Sequence, residues 1–310
     1  MAIRPALSYP GGKWKALPQI LPLIPENIEH WYESFFGGGS VTLGYMQSNK
    51  CSAKTFTVCE ISPEIWAFWQ GVKESAAEAA YIAKEWFKRD APTQIRLSTM
   101  DPTDPDYEKV ETQAIAEGEA LWKQLTTIDC SQLTLAQRAA RTFLVNKISF
   151  SGMGDSGSMS KDQFKDFRLE KADRMIELQP LLQKIEIRMV SFEELIEEAS
   201  TRPETSFMFL DPPYIAQEKS GLYGKDGDTH HGFPHEKLAK MCKEAKFPWL
   251  MTLDDSVKAR KLYRGMYIRP FRIPYTLAGK TAEDALAGEE IFIANYNILP
   301  DNNYDYIGEI

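Results

Sequence analysis

Apolar positions along the 310-residue chain recur with two different periods, and the period changes twice. Near the start, Trp31–Phe35 and Thr55–Glu60 are short runs rich in β-formers, followed respectively by Gly37-Gly38-Gly39 and by the helically spaced Ser62–Lys73. Each reads as strand, turn, helix. From about Ala76 to Leu182 the Ala-, Glu- and Lys-rich stretches Ala76–Lys88, Glu108–Ile128 and Leu135–Ser149 keep helical spacing with no convincing strand between them. Strand-like runs return at Ile185–Val190, Ser206–Leu210, Trp249–Leu253, Tyr267–Ile273 and Glu290–Tyr296, with helical stretches at Phe192–Ala199 and His235–Ala245. This alternation predicts an α/β fold: one twisted, mostly parallel, doubly wound sheet built from both ends of the chain. Residues 1–75 and 183–310 are expected to form that domain, and residues 76–182 a mainly helical insert.

Composition narrows the class. With 43% hydrophobic and 26% charged residues the chain is globular rather than disordered, and no apolar run reaches transmembrane length. Nothing at the start reads as a leader, so a cytoplasmic protein without membrane contact is expected. The four cysteines are scattered and read as reduced core residues. His231 and His235 have the i, i+4 spacing of two metal ligands on a helix, but Gly232 and Pro234 interrupt the stretch, so no metal is expected. Two loops exceed what a core needs: the Pro- and Asp-rich run Asp101–Asp106 and the Gly/Ser loop Ser151–Ser160.

Three constellations carry chemistry. Glu33-Ser34-Phe35-Phe36-Gly37-Gly38-Gly39-Ser40 ends a predicted strand and opens a helix, and Glu60-Ile61 ends the next strand. In a doubly wound sheet such glycines let the backbone approach a nucleotide-like ligand, and the acid after the second strand accepts from ribose hydroxyls. The plain alternative is a tight turn with a solvated Glu. Asp211-Pro212-Pro213-Tyr214 follows the apolar run Phe207–Leu210, at a strand's carboxyl end, where open α/β sheets bind ligands. Two prolines remove two N–H donors and leave a surface of acceptors beside an aromatic ring. That surface suits an exocyclic amine: two acceptors holding its hydrogens favour the pyramidal geometry from which a delocalised lone pair can attack. Ser8-Tyr9-Pro10-Gly11-Gly12-Lys13 lacks the spacing and the following Ser or Thr of a phosphate-binding loop; Tyr9 and Lys13 could instead touch a cofactor's face and carboxylate.

Taken together and in this order, these residues resemble the Dam-type DNA adenine N6-methyltransferases. Tyr9–Lys13 is similar to that family's Trp-Ala-Gly-Gly-Lys, Glu33–Gly39 to its Glu-Pro-Phe-x-Gly-x-Gly, and Asp211–Tyr214 matches its Asp-Pro-Pro-Tyr. Arg138–Gly154, His235–Lys240 and Glu290–Tyr296 add to the likeness. The resemblance implies a Rossmann-like methyltransferase sheet with a helical target-recognition insert, S-adenosylmethionine as methyl donor, and double-stranded DNA as substrate, with the target adenine flipped out. It further implies a bacterial or phage origin and a cognate restriction enzyme or other defence protein as a candidate partner. Asp211, Pro212, Pro213 and Tyr214 would be catalytic. Tyr9, Gly12, Lys13, Glu33, Phe35, Gly37, Gly38, Gly39, Ser40, Glu60, Ile61, Ser191, Phe192 and Asp211 would line the donor site. Three positions depart from the family: Ser34 replaces a Pro, Ser62 an Asn, and Ser191 an Asp that contacts the donor's adenine.

A net charge of −8 argues against a generally basic surface, yet the charges are unevenly spread. Lys258–Lys280 holds seven basic residues and no acid, whereas Thr281–Ile310 holds seven acids and no base. A basic face is therefore expected, with Lys147, Ser151, Lys161, Lys165, Arg168, Arg264 and Arg269 as DNA contacts. The competing readings are a methyltransferase acting on RNA adenine or a protein amide, and a DNA-binding regulator that has lost turnover.

Overall fold

The structure is a computed structural model that describes residues 2–9, 11–152, 154, 157–215, 232–273 and 288–300. Seven strands form one sheet: β1 (His30–Glu33), β2 (Thr55–Cys59), β3 (Ile185–Arg188), β4 (Ser206–Leu210), β5 (Trp249–Asp254), β6 (Tyr267–Ile273) and β7 (Gly288–Ala294). Their spatial order is β3-β2-β1-β4-β5-β7-β6. The pairs β2–β3, β1–β2, β1–β4 and β4–β5 are parallel; β7 alone runs against its neighbours β5 and β6. This is the Rossmann-like α/β sheet that the alternating pattern predicts.

Helices cover both faces of the sheet, and those of the middle segment pack chiefly on other helices. They are α1 (Leu17–Ile20), α2 (Ser40–Met46), α3 (Pro63–Asp90), α4 (Pro92–Leu97), α5 (Tyr107–Thr127), α6 (Leu135–Ile148), α7 (Lys161–Lys165), α8 (Asp173–Leu182), α9 (Phe192–Ser200), α10 (His235–Glu244) and α11 (Val257–Leu262). Strand β4 shows why two faces are needed: all five residues are buried, with Phe207 and Phe209 in the core beneath α1, α2, α3 and α6, and Met208 and Leu210 in the core beneath α9, α10 and α11. A strand buried on both sides reads as a continuous apolar run.

Differences from the sequence expectation have local causes. Two predicted helices, Ser62–Lys73 and Ala76–Lys88, lie in the single span α3, broken only by non-helical backbone at Ser75. Strand β1 stops at Glu33 rather than Phe35, because the chain bends into the glycine turn. Strand β3 stops at Arg188 rather than Val190, because Ser191 caps α9: its hydroxyl accepts from Glu194 N, and the Glu194 carboxylate reaches back to Ser191 N. Helices α8 and α11 were not foreseen. Helix α6 starts at a capping box formed by Thr134 and Gln137, and it crosses α3 so closely that a Cβ on Gly71 would lie 2.4 Å from Leu135 O.

Candidate active site

The strand order reverses between β1 and β4: β2 and β3 lie beyond one, β5, β7 and β6 beyond the other. Neighbouring parallel strands lie about 4.8 Å apart. Register pairs Glu33 with Phe209, so the two chains leave the sheet side by side, one into Ser34–Gly39 and the other into Asp211–Tyr214. Ligands of doubly wound sheets bind at such a switch point.

The glycine turn is tightly held. Gly37 (φ +46°) and Gly39 (φ +71°) occupy backbone conformations that favour glycine, and Gly39 is the N-cap of α2. Gly37 N donates to the Glu60 carboxylate at 2.9 Å, and Gly37 O accepts from the Trp69 indole at 2.8 Å. The Tyr9 ring packs on the turn so closely that a Cβ on Gly37 would fall 2.9 Å from its Cε1, and one on Gly38 2.8 Å from its Cβ. A Cβ on Gly12 would approach Tyr9 O to 2.9 Å, with Ser40 Oγ at 3.7 Å. Tyr9, Gly12, Gly37, Gly38, Gly39 and Ser40 therefore share one corner.

Two buried acids flank this corner. Glu33 is 2% exposed and accepts from Thr42 N at 3.0 Å and from the Thr42 hydroxyl, which itself accepts from the Trp31 indole at 2.7 Å. Burial pushes its carboxyl up to about 8, opposed by the Thr42 bonds and the Lys13 charge and reinforced by nearby Asp211. Glu60 is also buried and accepts from Gly37 N and, at 2.8 Å, from Ser62 N; burial raises it to about 7 against those bonds. Ile61, next in the chain, is 67% exposed. Phe35, Phe192 and Phe233 form a triangle of rings with centroids 5.6–6.0 Å apart.

At the tip of β4, both oxygens of Asp211 are engaged. Oδ2 accepts from Lys13 Nζ at 2.9 Å, and Oδ1 accepts from the Thr252 hydroxyl at 2.6 Å. Lys13 is almost fully buried; its ammonium also donates to Gly11 O at 2.7 Å and stands 5.0 Å from the Tyr214 ring centre. The N-terminal segment thus joins the two strand ends: Tyr9 lies on the glycine turn, and Lys13, four residues on, grips Asp211. Ser8 ties the segment to α6 and the loop after it, since Asn146 accepts from Ser8 N and donates to Ser8 O and Gly152 O, all within 2.9 Å. What sequence reasoning missed are the partners that hold the named residues: Thr252, Asp254, Glu290 and Thr42. A polar residue inside a buried apolar strand was the available signal for Thr252 and Glu290.

The expected DNA contacts divide. Lys161 and Arg264 are exposed and carry no ion pair among the described residues. Lys165 pairs with Glu111 at 2.7 Å, Arg168 donates to Lys165 O and Phe167 O, and Arg269 reaches Ile298 O at 3.4 Å. Lys147 donates to Ser8 Oγ at 3.0 Å, and burial beside Lys171 and Arg174 lowers its ammonium to about 8. Ser191 has its hydroxyl committed to the α9 cap. The Ser151 side chain, Met153, Asp155, Ser156, His230, His231, Tyr275, Lys280 and the acidic residues Glu283, Asp284, Asp301, Asp305 and Glu309 lie outside the described residues, as does the side chain of Glu289. No cluster of three metal-binding side chains occurs among the described residues, and no described helix is long and apolar enough to cross a membrane.

Comparison with known proteins decides the family. Residues 9–276 match the D12 class N6 adenine-specific DNA methyltransferases, a span containing all three constellations apart from Ser8. The chain belongs to that family. It is similar to the Type II methyltransferase M1.LlaDCHI of Lactococcus lactis subsp. cremoris, 20% identical over 310 residues covering 95% of this chain and 96% of that one. It is also similar to the Type II methyltransferase M.MjaIII of Methanocaldococcus jannaschii, 22% identical over 237 residues covering 72% and 73%. This D12 class enzyme therefore acts on adenine N6 in DNA and uses a methyl donor. Loss of turnover finds no support at Asp211, whose side chain is held from two sides.

Proposed function

We propose that the chain is a site-specific methyltransferase that uses S-adenosylmethionine to methylate N6 of an adenine flipped out of duplex DNA. The observation that carries this is the bridge through the N-terminal segment: one end rests on the glycine turn, and the other holds Asp211. The residues at the turn fit this donor. Gly37 and Gly38 let the Tyr9 ring lie directly on the turn, where it would present its other face to the donor, Glu60 would supply a carboxylate for ribose hydroxyls, and exposed Ile61 would offer an apolar face for an adenine ring. Phe35 and Phe192 would close the donor pocket, Glu33 and Lys13 would meet the donor's amino-acid group, and Ser191 would contribute only as far as its helix cap allows. When bound, the donor supplies an electrophilic methyl group on a sulfonium.

The target amine is the protein's task. The Asp211 carboxylate and the Pro212 carbonyl take the two N6 hydrogens, which draws the nitrogen lone pair out of ring conjugation, and Pro213 keeps the turn rigid. Tyr214 stacks on the purine. Transfer leaves an extra proton on N6, which Asp211 is placed to accept and pass to water. Flipping costs a few kcal/mol, recovered through this pocket and through phosphate contacts. Residues 1–75 and 183–310 serve as the catalytic domain and residues 76–182 as the target-recognition insert. Lys161 and Arg264 are the foremost phosphate ligands, and Lys147, Ser151, Lys165, Arg168 and Arg269 contribute once their internal contacts rearrange. Like its Type II relatives by name, the enzyme would serve restriction–modification beside a cognate nuclease in a bacterial or phage-infected cytoplasm.

The test is tritium transfer from labelled S-adenosylmethionine to duplex DNA, with Asp211→Ala as control and single-molecule sequencing to read the modified sites. Transfer abolished by the substitution with DNA binding retained supports the reading. Undiminished transfer, or label appearing on RNA alone, refutes it.

A further inference from the structure

Glu290 belongs to none of the three constellations, yet it reaches the acceptor turn. It sits on β7 opposite Asp254 of β5, only 2% exposed, and its Oε2 accepts a hydrogen bond from the Tyr214 hydroxyl at 2.5 Å. Asp254, across the ladder, accepts from Ile215 N at 2.7 Å. Thr252, two residues back along β5, holds Asp211. The ends of β5 and β7 thus grip the turn at Asp211, at Tyr214 and at Ile215. A phenol hydroxyl bonded to a buried carboxyl oxygen on a strand restrains the ring's plane as well as its position.

We propose that Glu290 is a positioning residue for methyl transfer: through the Tyr214 hydroxyl it locks the ring on which the flipped adenine stacks, and so sets how far N6 stands from the Asp211 acceptors. This rests on the proposed role of Tyr214 as the stacking ring. The phenol's proton is spent on Glu290, so Tyr214 meets the base with its face and not as a hydrogen-bond donor. An unlocked ring still stacks but wanders, and displacement of about 1 Å at a reacting centre costs on the order of 100-fold in rate.

The experiment compares Glu290→Leu, Glu290→Gln and Tyr214→Phe with the parent enzyme. Single-turnover methyl transfer is measured alongside the fluorescence of 2-aminopurine at the target position, which is bright when flipped out and quenched when stacked. Glu290→Leu and Tyr214→Phe are expected to lose on the order of 10–100-fold in transfer rate and to show brighter 2-aminopurine, with donor affinity unchanged. Glu290→Gln, which keeps an acceptor oxygen, should recover most of the rate, and the double variant should be no slower than either single one. A parent-like rate in Glu290→Leu, multiplying losses in the double variant, or parent-like quenching in both would overturn the proposal. Should Glu290→Leu fail to fold, Tyr214→Phe decides alone: loss with brighter signal supports, parent behaviour overturns. Asp211→Ala separates the two layers, because full transfer there removes the site itself, whereas abolished transfer there with a normal Glu290→Leu removes only the positioning role.

Discussion

Replacing Asp211 with Ala should damage the enzyme twice, and the two effects can be told apart. Lys13 is 3% exposed at its side chain, and its ammonium has the Asp211 carboxylate at 2.9 Å and one backbone carbonyl at 2.7 Å. Removing one partner of a buried pair costs roughly 3–5 kcal/mol, because the surviving charge stays desolvated. Asp211 is 23% exposed, and Lys13 keeps Gly11 O and the Tyr214 ring, so a loss of about 2 kcal/mol is expected, near 4 °C in midpoint for a chain of this size. Methyl transfer should fall by about 1000-fold, the upper range for removing one stabilising group from a transition state. Asp211→Asn keeps acceptor and shape, so it should recover most of the stability while remaining slow. Lys13→Met in the Ala background should restore stability without restoring transfer. Thermal unfolding and single-turnover tritium transfer on the parent, Asp211→Ala, Asp211→Asn, Lys13→Met and the Lys13→Met/Asp211→Ala pair provide the check. If Asp211→Ala transferred within tenfold of the parent, or if Lys13→Met destabilised both backgrounds equally, the reasoning would fail.

Gly38→Ala places a Cβ 2.8 Å from Tyr9 Cβ, so donor affinity, read by calorimetry, should weaken at least about tenfold while DNA binding holds; parent affinity would show that the turn has slack. Glu33 sits at about 8 in the folded chain against an ordinary 4.5, so the folded state binds more protons than the unfolded one between those values, and the stability this gives is complete below pH 4.5 and lost as pH rises through 8. Without donor, Glu33 alone should lower the unfolding free energy by on the order of 3 kcal/mol from pH 5 to pH 8, and Glu60, raised to about 7, adds a fall in the same window, so Glu33→Gln should make the curve shallower and the Glu33→Gln/Glu60→Gln pair should flatten it; an unchanged slope in Glu33→Gln contradicts this. Binding of a cationic donor beside Glu33 should release a proton, visible as a buffer-dependent calorimetric enthalpy; a zero count at pH 7 argues against contact. Charge reversal at Lys161 or Arg264 should weaken cognate and non-cognate DNA alike and lower the salt slope by about one, whereas loss confined to one sequence would point to base contact instead.

The parts of the site that were legible are those where residue type and strand position coincide. An apolar run ending in Asp-Pro-Pro-Tyr announces both a buried strand and its exposed end, and the positive φ of Gly37 and Gly39 is a demand that few other residues meet. Partners were not legible. Lys165 could be counted as a cation, but its neutralisation by Glu111 depends on how α5 meets α7, 54 positions away in sequence. Arg168 bends onto carbonyls of its own loop, which no charge count reveals. Helix α8 was hidden by an internal Pro180, α11 by its single turn and a half, and the continuity of α3 by the one residue that breaks it. Glu290 and Thr252 sit in strands whose apolar neighbours signal burial and nothing about what the polar member faces.

The sheet itself explains how two turns about 170 positions apart in sequence come to lie side by side. Adjacent parallel strands share a register set by ladder bonds, and Glu33 opposite Phe209 leaves the following residues of both chains emerging together. A one-residue slip would turn every side chain of β1 to the other face, burying Glu33 and Trp31 on the wrong sides. That slip is opposed by Trp31 stacked on Tyr45 at 4.3 Å and bonded to Thr42, and by Ser34 N donating to Phe209 O at 3.4 Å. The spacing of the glycine turn and the Asp211 turn is thus set by the ladder that joins β1 to β4. Above the sheet Tyr9 and Lys13 tie the same two turns together, one on the glycines and the other on Asp211.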